Sequence, residues 1–251
     1  MKISWIRWLS AWVVILGALA PCTIADELVK PAKPPEVKPK EEKTEPGLTH
    51  YMGREIAQTM HFAGAPWLTR ESRDREEEPA KLIKSLGLKP GMVVCDLGCG
   101  NGFYALRIAP MLVPGGRVIA EDIQPEMLEL LKKRAEKAAV KNVETLLGTV
   151  TDPKLPERTC DLILLVDVYH EIDRPVEMLA AIKKSLAPKG RLVLVEFRAE
   201  DPKVPIKELH KMSKAQINKE LTANGFKLVE QFDGLPWQHV MFFENDLDAK
   251  K

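Results

Sequence analysis

The segment from Asp96 to Gly102 is the part of this chain whose residue types most clearly predict ligand binding. Three glycines at alternate positions, Gly98, Gly100 and Gly102, follow an apolar run and its terminal acid, Asp96. Glycine lets a backbone pass close to a ligand because no Cβ intervenes. An acid just before such a loop would repel a dinucleotide phosphate and would attract a positively charged amine or sulfonium. We therefore expect a loop that binds a cationic ligand.

A second acidic position follows this loop at a distance of about 20 residues, where an acid commonly binds ribose hydroxyls in alternating strand and helix folds. The apolar run from Arg117 predicts a strand that ends in Glu121 and Asp122. The spacing alone therefore makes both acids candidates for binding a ribose.

The glycine loop and its acid resemble motif I of the class I S-adenosylmethionine-dependent methyltransferases, an acid followed by Gly-x-Gly-x-Gly. The resemblance extends over roughly residues 81–244 and implies S-adenosylmethionine as the cofactor. Members of that family often carry Asp where this chain has Thr149, so the backbone of Val150 or the side chain of Asp152 would contact the adenine. The cofactor-binding residues expected from the resemblance are Asp96, Gly98, Cys99, Gly100, Gly102, Asp122, Ile123, Thr149, Val150 and Asp167.

Apolar runs alternate with helical patterns along the same part of the chain. Pro125 and Pro175 stand where helices should begin, and Ser213 with Gln216 forms a capping box. The alternation predicts an α/β fold with helices on both faces of the sheet. With the resemblance, the expectation is a Rossmann-like, doubly wound, mostly parallel sheet of seven strands with a C-terminal antiparallel hairpin.

The acceptor is expected beyond the carboxyl ends of the strands, where ligands bind in doubly wound folds. Tyr169, His170 and Glu171 follow the fourth strand and are the candidate catalytic residues. His170 has the side chain best suited to act as a general base near neutral pH, with Glu171 orienting it or binding the acceptor. The alternative is that His170 only packs near the methyl group and transfers no proton.

Three further segments are candidates for walls of the acceptor pocket. The resemblance places residues 205–211 in a usual acceptor-binding region and makes the segment around Trp67–Arg70 a possible lid. The cluster Pro236–His239 lies at the tip of the predicted hairpin, as a pocket wall or as packing. The run Asp167–His170 differs from the Asn/Asp-Pro-Pro-Tyr motif of amino-group methyltransferases, which argues against an adenine or glutamine nitrogen as the acceptor.

The composition of the chain limits the kinds of ligand and cross-link that we expect. The formal net charge of the 251 residues is +1, which gives no electrostatic footprint for nucleic acid. Its four cysteines form no disulfide framework, and Cys95, Cys99 and Cys160 are expected to be buried free thiols. No clustered ligand spacing predicts a metal site.

The N-terminal residues differ from the rest of the chain. Residues 1–25 begin with the positive charges of Lys2 and Arg7, continue as an apolar run and end in small residues suited to a cleavage site. This pattern is typical of a signal peptide, with an uncleaved membrane anchor as the alternative. Residues 26–46 contain five prolines, five lysines and six acids, a composition typical of a disordered linker. Residues 47–251 remain for one methyltransferase-like domain. This pattern predicts an exported protein, with a possible tether to the membrane; a cytoplasmic location is the lesser alternative.

These features together favour a methyltransferase that acts on a small molecule. The resemblance is strongest to the branch near the ubiquinone and menaquinone enzymes. A non-catalytic protein that keeps the fold to bind the cofactor or a partner is the second hypothesis. An NAD-dependent oxidoreductase fits poorly, because Asp96 has no role there and Phe103 disrupts the glycine spacing.

Overall fold

An eight-stranded sheet forms the centre of the computed structural model, which describes residues 46–246. Its strands are β3 (Val93–Leu97), β4 (Arg117–Asp122), β5 (Val143–Leu147), β6 (Cys160–Val166), β7 (Leu186–Arg198), β8 (Lys211–Met212), β9 (Phe226–Phe232) and β10 (Gln238–Asn245). A separate two-stranded ribbon, β1 (His50–Tyr51) with β2 (Arg54–Glu55), precedes them. Seven strands lie in the order β5-β4-β3-β6-β7-β10-β9, and β8 pairs with β7.

The pairing directions confirm the predicted fold class. The strands from β3 to β7 pair in parallel, whereas β10 is antiparallel to both β7 and β9. The carboxyl ends of β3, β4, β6 and β7 therefore meet at one edge of the sheet, where doubly wound folds bind ligands. The sequence did not predict β8, which has only two residues.

Within the described residues, six α-helices connect and cover these strands. They are α1 (Arg73–Glu77), α2 (Pro79–Ser85), α3 (Ala105–Ile108), α4 (Pro125–Lys137), α5 (Pro175–Ser185) and α6 (Lys214–Ala223). Pro125 and Pro175 occupy the first positions of α4 and α5, as expected from their fixed backbone angle. The backbone N–H of Gln216 donates to the Ser213 hydroxyl, which caps α6.

Side chains of each central strand alternate between two apolar cores, one on each face of the sheet. In β3, Val94 packs into one core, and Cys95 and Leu97 pack into the other. The fully buried residues of β6 are divided in the same way. This burial on both faces explains why β6 is a nearly continuous apolar run in the sequence.

Strand β8 pairs with β7 beyond the point where β6 ends. The last pair between β6 and β7 is Val166 with Val195, whereas Lys211 of β8 pairs with Phe197. Because β10 also pairs with Phe197, β8 must lie on the side of β7 that β6 occupies earlier. The residues just before Lys211 are thereby brought to the carboxyl end of β6.

The predictions for residues 1–25, and for all but the last residue of the linker 26–46, lie outside the described residues. Within residues 46–246, no helix is both long and apolar enough to cross a membrane.

Candidate functional site

A cavity of about 790 Å³ lies at the carboxyl ends of β3, β4, β6 and β7. It reaches from the glycine loop after β3 to the segment before β8. Of the residues selected from the sequence, it is lined by Gly98, Gly100, Asp122, Ile123, Val150, Asp167, His170 and Glu171. Its volume lies within the range of about 300–1,000 Å³ that is usual for small-molecule sites.

The glycine loop is shaped by conformations and contacts that a side chain would not allow. Gly98 and Gly100 have φ angles of 69° and 53°, in the left-handed region that favours glycine. A Cβ at Gly98 would lie 2.7 Å from both methyl carbons of Val168, and a Cβ at Gly100 would lie 2.6 Å from Leu68. The two positions therefore require glycine for both conformation and space.

Asp122 joins the end of β4 to the glycine loop. Its Oδ2 accepts a 2.9 Å hydrogen bond from the Gly100 N–H, and its Oδ1 accepts a 2.8 Å bond from the Gln124 N–H. Burial raises the pKa of this carboxyl, and the two backbone donors oppose that shift. Asp122 thus fixes the loop while lining the cavity.

Glu121, the alternative ribose acid, lies under the same loop. Its Oε2 accepts from the Gly98 N–H at 3.3 Å, and burial raises its pKa to about 8. The side chain lies against Gly148, where an added Cβ would clash with Oε1, and it lines the cavity. Both acids at the end of β4 therefore contact the cavity.

Asp96 does not line the cavity. Its Oδ2 accepts a 2.9 Å hydrogen bond from the Ala105 N–H at the start of α3, and burial raises its pKa to about 7. In the described structure this acid therefore holds the helix that follows the loop, whereas the sequence had placed it beside a cationic ligand.

Four other residues selected from the sequence as cofactor or catalytic residues also lie away from the cavity wall. Cys99 is buried, and Gly102 packs against Leu131 of α4. Thr149 bonds within its own loop to the backbone of Asp152, and Asp152 is outside the wall as well. The Tyr169 hydroxyl donates to Glu220 at 2.9 Å and is buried below the site. Of the adenine contacts considered, only Val150 reaches the cavity.

Asp167 is a buried acid at the end of β6 with one unpartnered oxygen. Its backbone adopts a left-handed φ of 54°, and its Oδ2 accepts a 2.8 Å hydrogen bond from Gln238 of β10. No side chain or backbone group within the described residues bonds its Oδ1. Burial, followed by the nearby carboxylates of Glu77 and Glu196, raises its pKa well above the usual value. The hairpin tip thus supports Asp167 through Gln238 but does not line the cavity, and the free oxygen of Asp167 is suited to a cationic group.

His170 is held by a carboxylate that the sequence did not pair with it. Its Nδ1 lies 2.7 Å from Oε2 of Glu196 on β7, whereas its Nε2 lies 3.9 Å from Oε1 of Glu171. Glu196, which lies within β7, is therefore the residue that orients the imidazole. Burial opposes protonation of His170, but the Glu196 carboxylate more than compensates and raises the pKa.

The other nitrogen of His170 contacts His210, which directly precedes β8. His170 Nε2 and His210 Nδ1 are 3.0 Å apart, and the two rings are nearly perpendicular. Burial and the neighbouring His170 both lower the pKa of His210. Pro205, Ile206 and Lys207 line the same part of the cavity, as expected for the segment 205–211.

The segment before α1 covers the cavity, in agreement with the predicted lid. The Phe62 N–H donates to the Gln124 side chain at 2.8 Å, and Gln124 Nε2 donates to the Met60 carbonyl at 2.8 Å. The Asn101 amide donates to the Ala65 carbonyl at 3.0 Å. This segment, a 3₁₀ helix over Phe62–Thr69, is thereby fixed to the glycine loop and to the start of α4.

A buried ion-pair network connects this covering segment to α1. Glu77 accepts from Arg73 at 2.7 Å and from Arg70 at 2.8 Å, and all three residues line the cavity. Arg70 also stacks on Trp67, with its guanidinium 3.8 Å from the ring centre. Helix α1 therefore contributes two buried side chains, Arg73 and Glu77, to the site.

The sequence of the chain matches the model of one protein family. The family described as a methyltransferase domain matches residues 88–241. The Lactococcus lactis demethylmenaquinone methyltransferase is 29% identical over 127 residues, which are 51% of this chain and 50% of that protein. The Pyrococcus horikoshii protein-L-isoaspartate O-methyltransferase is 33% identical over 134 residues, which are 51% of this chain and 60% of that protein.

The chain spans about half the length of the curated relatives it matches. A crystal structure of a SAM-dependent methyltransferase from Aquifex aeolicus resembles the described fold with a TM-score of 0.70 and 26% sequence identity. That match covers 74% of this chain and 98% of the other.

Proposed function

Since the chain belongs to the methyltransferase domain family, whose match covers residues 88–241, we propose that it transfers a methyl group to a small molecule bound in the cavity. S-adenosylmethionine is the cofactor expected of this family. The observation that carries the proposal is the continuity of the cavity, which joins the glycine loop to His170 in one space of about 790 Å³. Cofactor and acceptor would then share one enclosed site.

The cofactor half of the cavity has a chemistry that fits S-adenosylmethionine. When bound, this cofactor supplies an electrophilic methyl group on a positively charged sulfonium. Gly98 and Gly100 provide the close backbone approach, and Asp122 provides a carboxylate for the ribose hydroxyls. The unpartnered Oδ1 of Asp167 is a buried acceptor for a cationic group.

The acceptor half would be formed by His170, Glu171, His210 and the segment 205–207. His170 is fixed by Glu196, so its orientation does not have to be established when an acceptor binds. A general base at His170 would use Nε2, because Nδ1 is bonded to Glu196; in the alternative, His170 packs near the methyl group and transfers no proton. The name of the demethylmenaquinone relative supports a small-molecule acceptor.

Cofactor binding is tested first by calorimetry on the purified full chain. We expect S-adenosylmethionine and its demethylated product to bind and NAD not to bind. Binding of NAD with neither of the other two compounds would contradict the proposal.

Methyl transfer is tested by incubating the chain with methyl-labelled S-adenosylmethionine and fractionated small-molecule extracts. Label is expected in an extract component only with the intact chain. Cofactor binding without any labelled product from a full set of extracts would favour the alternative, a non-catalytic protein that retains the fold.

We also propose that residues 1–25 export the chain, as a cleaved signal peptide or as an anchor. Export is supported by the positive charges at the start of this segment, the apolar run that follows them and the small residues at its end. A fusion of residues 1–46 to a reporter that is active only outside the cytoplasm should be active. The same fusion with Val14→Arg and Leu16→Arg, which interrupt the apolar run, should not be. An inactive but intact parent fusion would place the domain inside the cell and contradict export.

A further inference from the structure

Three side chains in the acceptor half of the cavity converge on one point. Nε2 of His170 lies 3.0 Å from Nδ1 of His210 and 3.9 Å from Oε1 of Glu171. The ligand atoms of the three residues all lie within 4.8 Å of one another. Tetrahedral zinc binds such atoms at about 2.0–2.2 Å, which separates neighbouring ligand atoms by about 3.3 Å. The measured separations lie on both sides of that value, so small side-chain rotations would complete the site.

The topology of the sheet is what brings these residues together. His170 and Glu171 follow β6, whereas His210 directly precedes β8 and is 40 positions further along the chain than His170. Because β8 pairs with β7 beyond the end of β6, His210 is placed next to the residues that leave β6. This separation in sequence explains why no ligand spacing was visible in the chain.

A surrounding shell of hydrogen bonds orients two of the three ligand atoms. Glu196 lies 2.7 Å from Nδ1 of His170, so in the neutral imidazole the ring proton is favoured on Nδ1 and the Nε2 lone pair is left for another partner. The Met60 N–H donates to Oε2 of Glu171 at 3.2 Å and leaves Oε1 on the side of His170. A carboxylate bonded to the second nitrogen of a ligand histidine is the usual outer shell of a metal site.

The charges of the cluster also favour a cation. Glu196 is completely buried, and its Oε1 has no partner within the described residues. Glu171 is half-buried beside it, and Asp167 is a further buried acid that interacts with Glu196. Buried carboxylates are stable when they are paired with positive charge or coordinate a metal.

We propose that His170, Glu171 and His210 bind a divalent transition metal, with zinc as the best fit. Two imidazoles and a carboxylate suit zinc, whereas calcium and magnesium prefer oxygen ligands alone. Three protein ligands leave a fourth position open to the cavity, as in catalytic zinc sites.

The fourth coordination position of the metal would receive an oxygen or sulfur atom of the methyl acceptor. This role of the metal in methyl transfer rests on the proposed function. A bound metal lowers the pKa of a coordinated hydroxyl or thiol and so favours its ionised form. Nε2 of His170 would then be a ligand atom, and the general-base role would not apply to it. Metal binding itself does not depend on methyl transfer.

The test measures metal binding directly on the full chain. The protein is stripped with a chelator, and zinc chloride is titrated by calorimetry, with cobalt chloride as a spectroscopic probe of coordination geometry. We expect one zinc per chain and visible cobalt bands typical of tetrahedral coordination. Glu196→Gln, which alters only the outer shell, should weaken zinc binding about 10–100-fold.

Three variants separate the proposed site from adventitious binding. His210→Ala and Glu171→Gln should abolish stoichiometric zinc binding, whereas His50→Ala, which removes an exposed histidine elsewhere, should not change it. Circular dichroism and calorimetry with S-adenosylmethionine check that each variant is folded and keeps its cofactor site.

Failure to bind one zinc in the parent chain would overturn the metal proposal, even if no variant could be purified. Equal zinc binding by the parent and a folded His210→Ala would also overturn it. If zinc binds as expected but S-adenosylmethionine does not, the proposed function fails and the metal site remains.

Discussion

The two halves of the cavity differ in the kind of hydrogen bond that holds their side chains. In the cofactor half, Asp122 bonds to backbone N–H groups of Gly100 and Gln124, at the ends of adjacent strands. In the acceptor half, side chains bond to side chains, as in the contacts of His170 with Glu196 and His210. The first half is therefore formed by the fold itself, whereas the second depends on the identity of individual side chains.

The largest effect should come from His170→Ala in the acceptor half. Turnover on the true acceptor should fall about 100-fold or more, because the variant removes either a metal ligand or a proton acceptor. The affinity for S-adenosylmethionine should stay unchanged, which calorimetry checks beside kinetic measurements. His50→Ala is the matched control. A parallel loss of cofactor affinity would show that the two halves are not separable.

Asp122→Ala should have the next largest effect, now in the cofactor half. Loss of a carboxylate that bonds the glycine loop and is expected to bind the ribose should weaken cofactor binding by about 1–3 kcal/mol. Calorimetry with S-adenosylmethionine measures this, and Glu126→Ala at an exposed position of α4 is the control. An unchanged affinity would remove Asp122 from the cofactor site.

Gln238→Ala tests the connection between the hairpin and the site. The variant removes the amide group that donates to Oδ2 of Asp167, so a buried carboxyl group loses its side-chain hydrogen bond. The free energy of unfolding should fall by about 1–3 kcal/mol, as measured with urea. Gln231→Ala, at an exposed position of β9, should have little effect. Equal values for both variants would mean that the bond contributes nothing to stability.

The stability of the protein should also depend on pH through Glu121. Its folded pKa, raised by burial to about 8, exceeds its usual value, so the folded state holds the proton more tightly than the unfolded chain. The contribution of this group to stability is therefore greatest at low pH and decreases as pH rises from the usual range to about 8, by at most about 1.4 kcal/mol per pH unit.

Glu121→Gln should abolish this part of the decrease, because the amide cannot ionise. The measurement is the difference in the free energy of unfolding between parent and variant across roughly pH 5–9, with the exposed Glu136→Gln as the control. Parallel curves for the parent and Glu121→Gln would show that folding does not shift the pKa of Glu121.

The fold could be predicted because its signals are local. Glycines at alternate positions, prolines at helix starts and the continuous apolar run of β6 each act within a few residues, and all appear in the structure. The loop residues Gly98, Gly100 and Asp122 were found for the same reason.

The acceptor half could not be predicted in the same way. The pairing of His170 with Glu196 depends on neighbouring strands, and its contact with His210 depends on β8, a strand too short to leave a pattern. The direction of a side chain is a further limit: Asp96 was placed beside the ligand, whereas its carboxylate holds the start of α3.

The first part of the described chain, residues 48–57, has a consequence for the order in which the chain folds. Leu48 bonds to the backbone of Asp173, Ala57 to that of His170, and Arg54 forms an ion pair with Glu220. Each of these contacts joins the start of the described chain to residues made about a hundred positions later or more, and such distant contacts form late and slowly. During synthesis from the N-terminus, residues 48–57 can therefore make these contacts only after the strands up to β8 and α6 have been made.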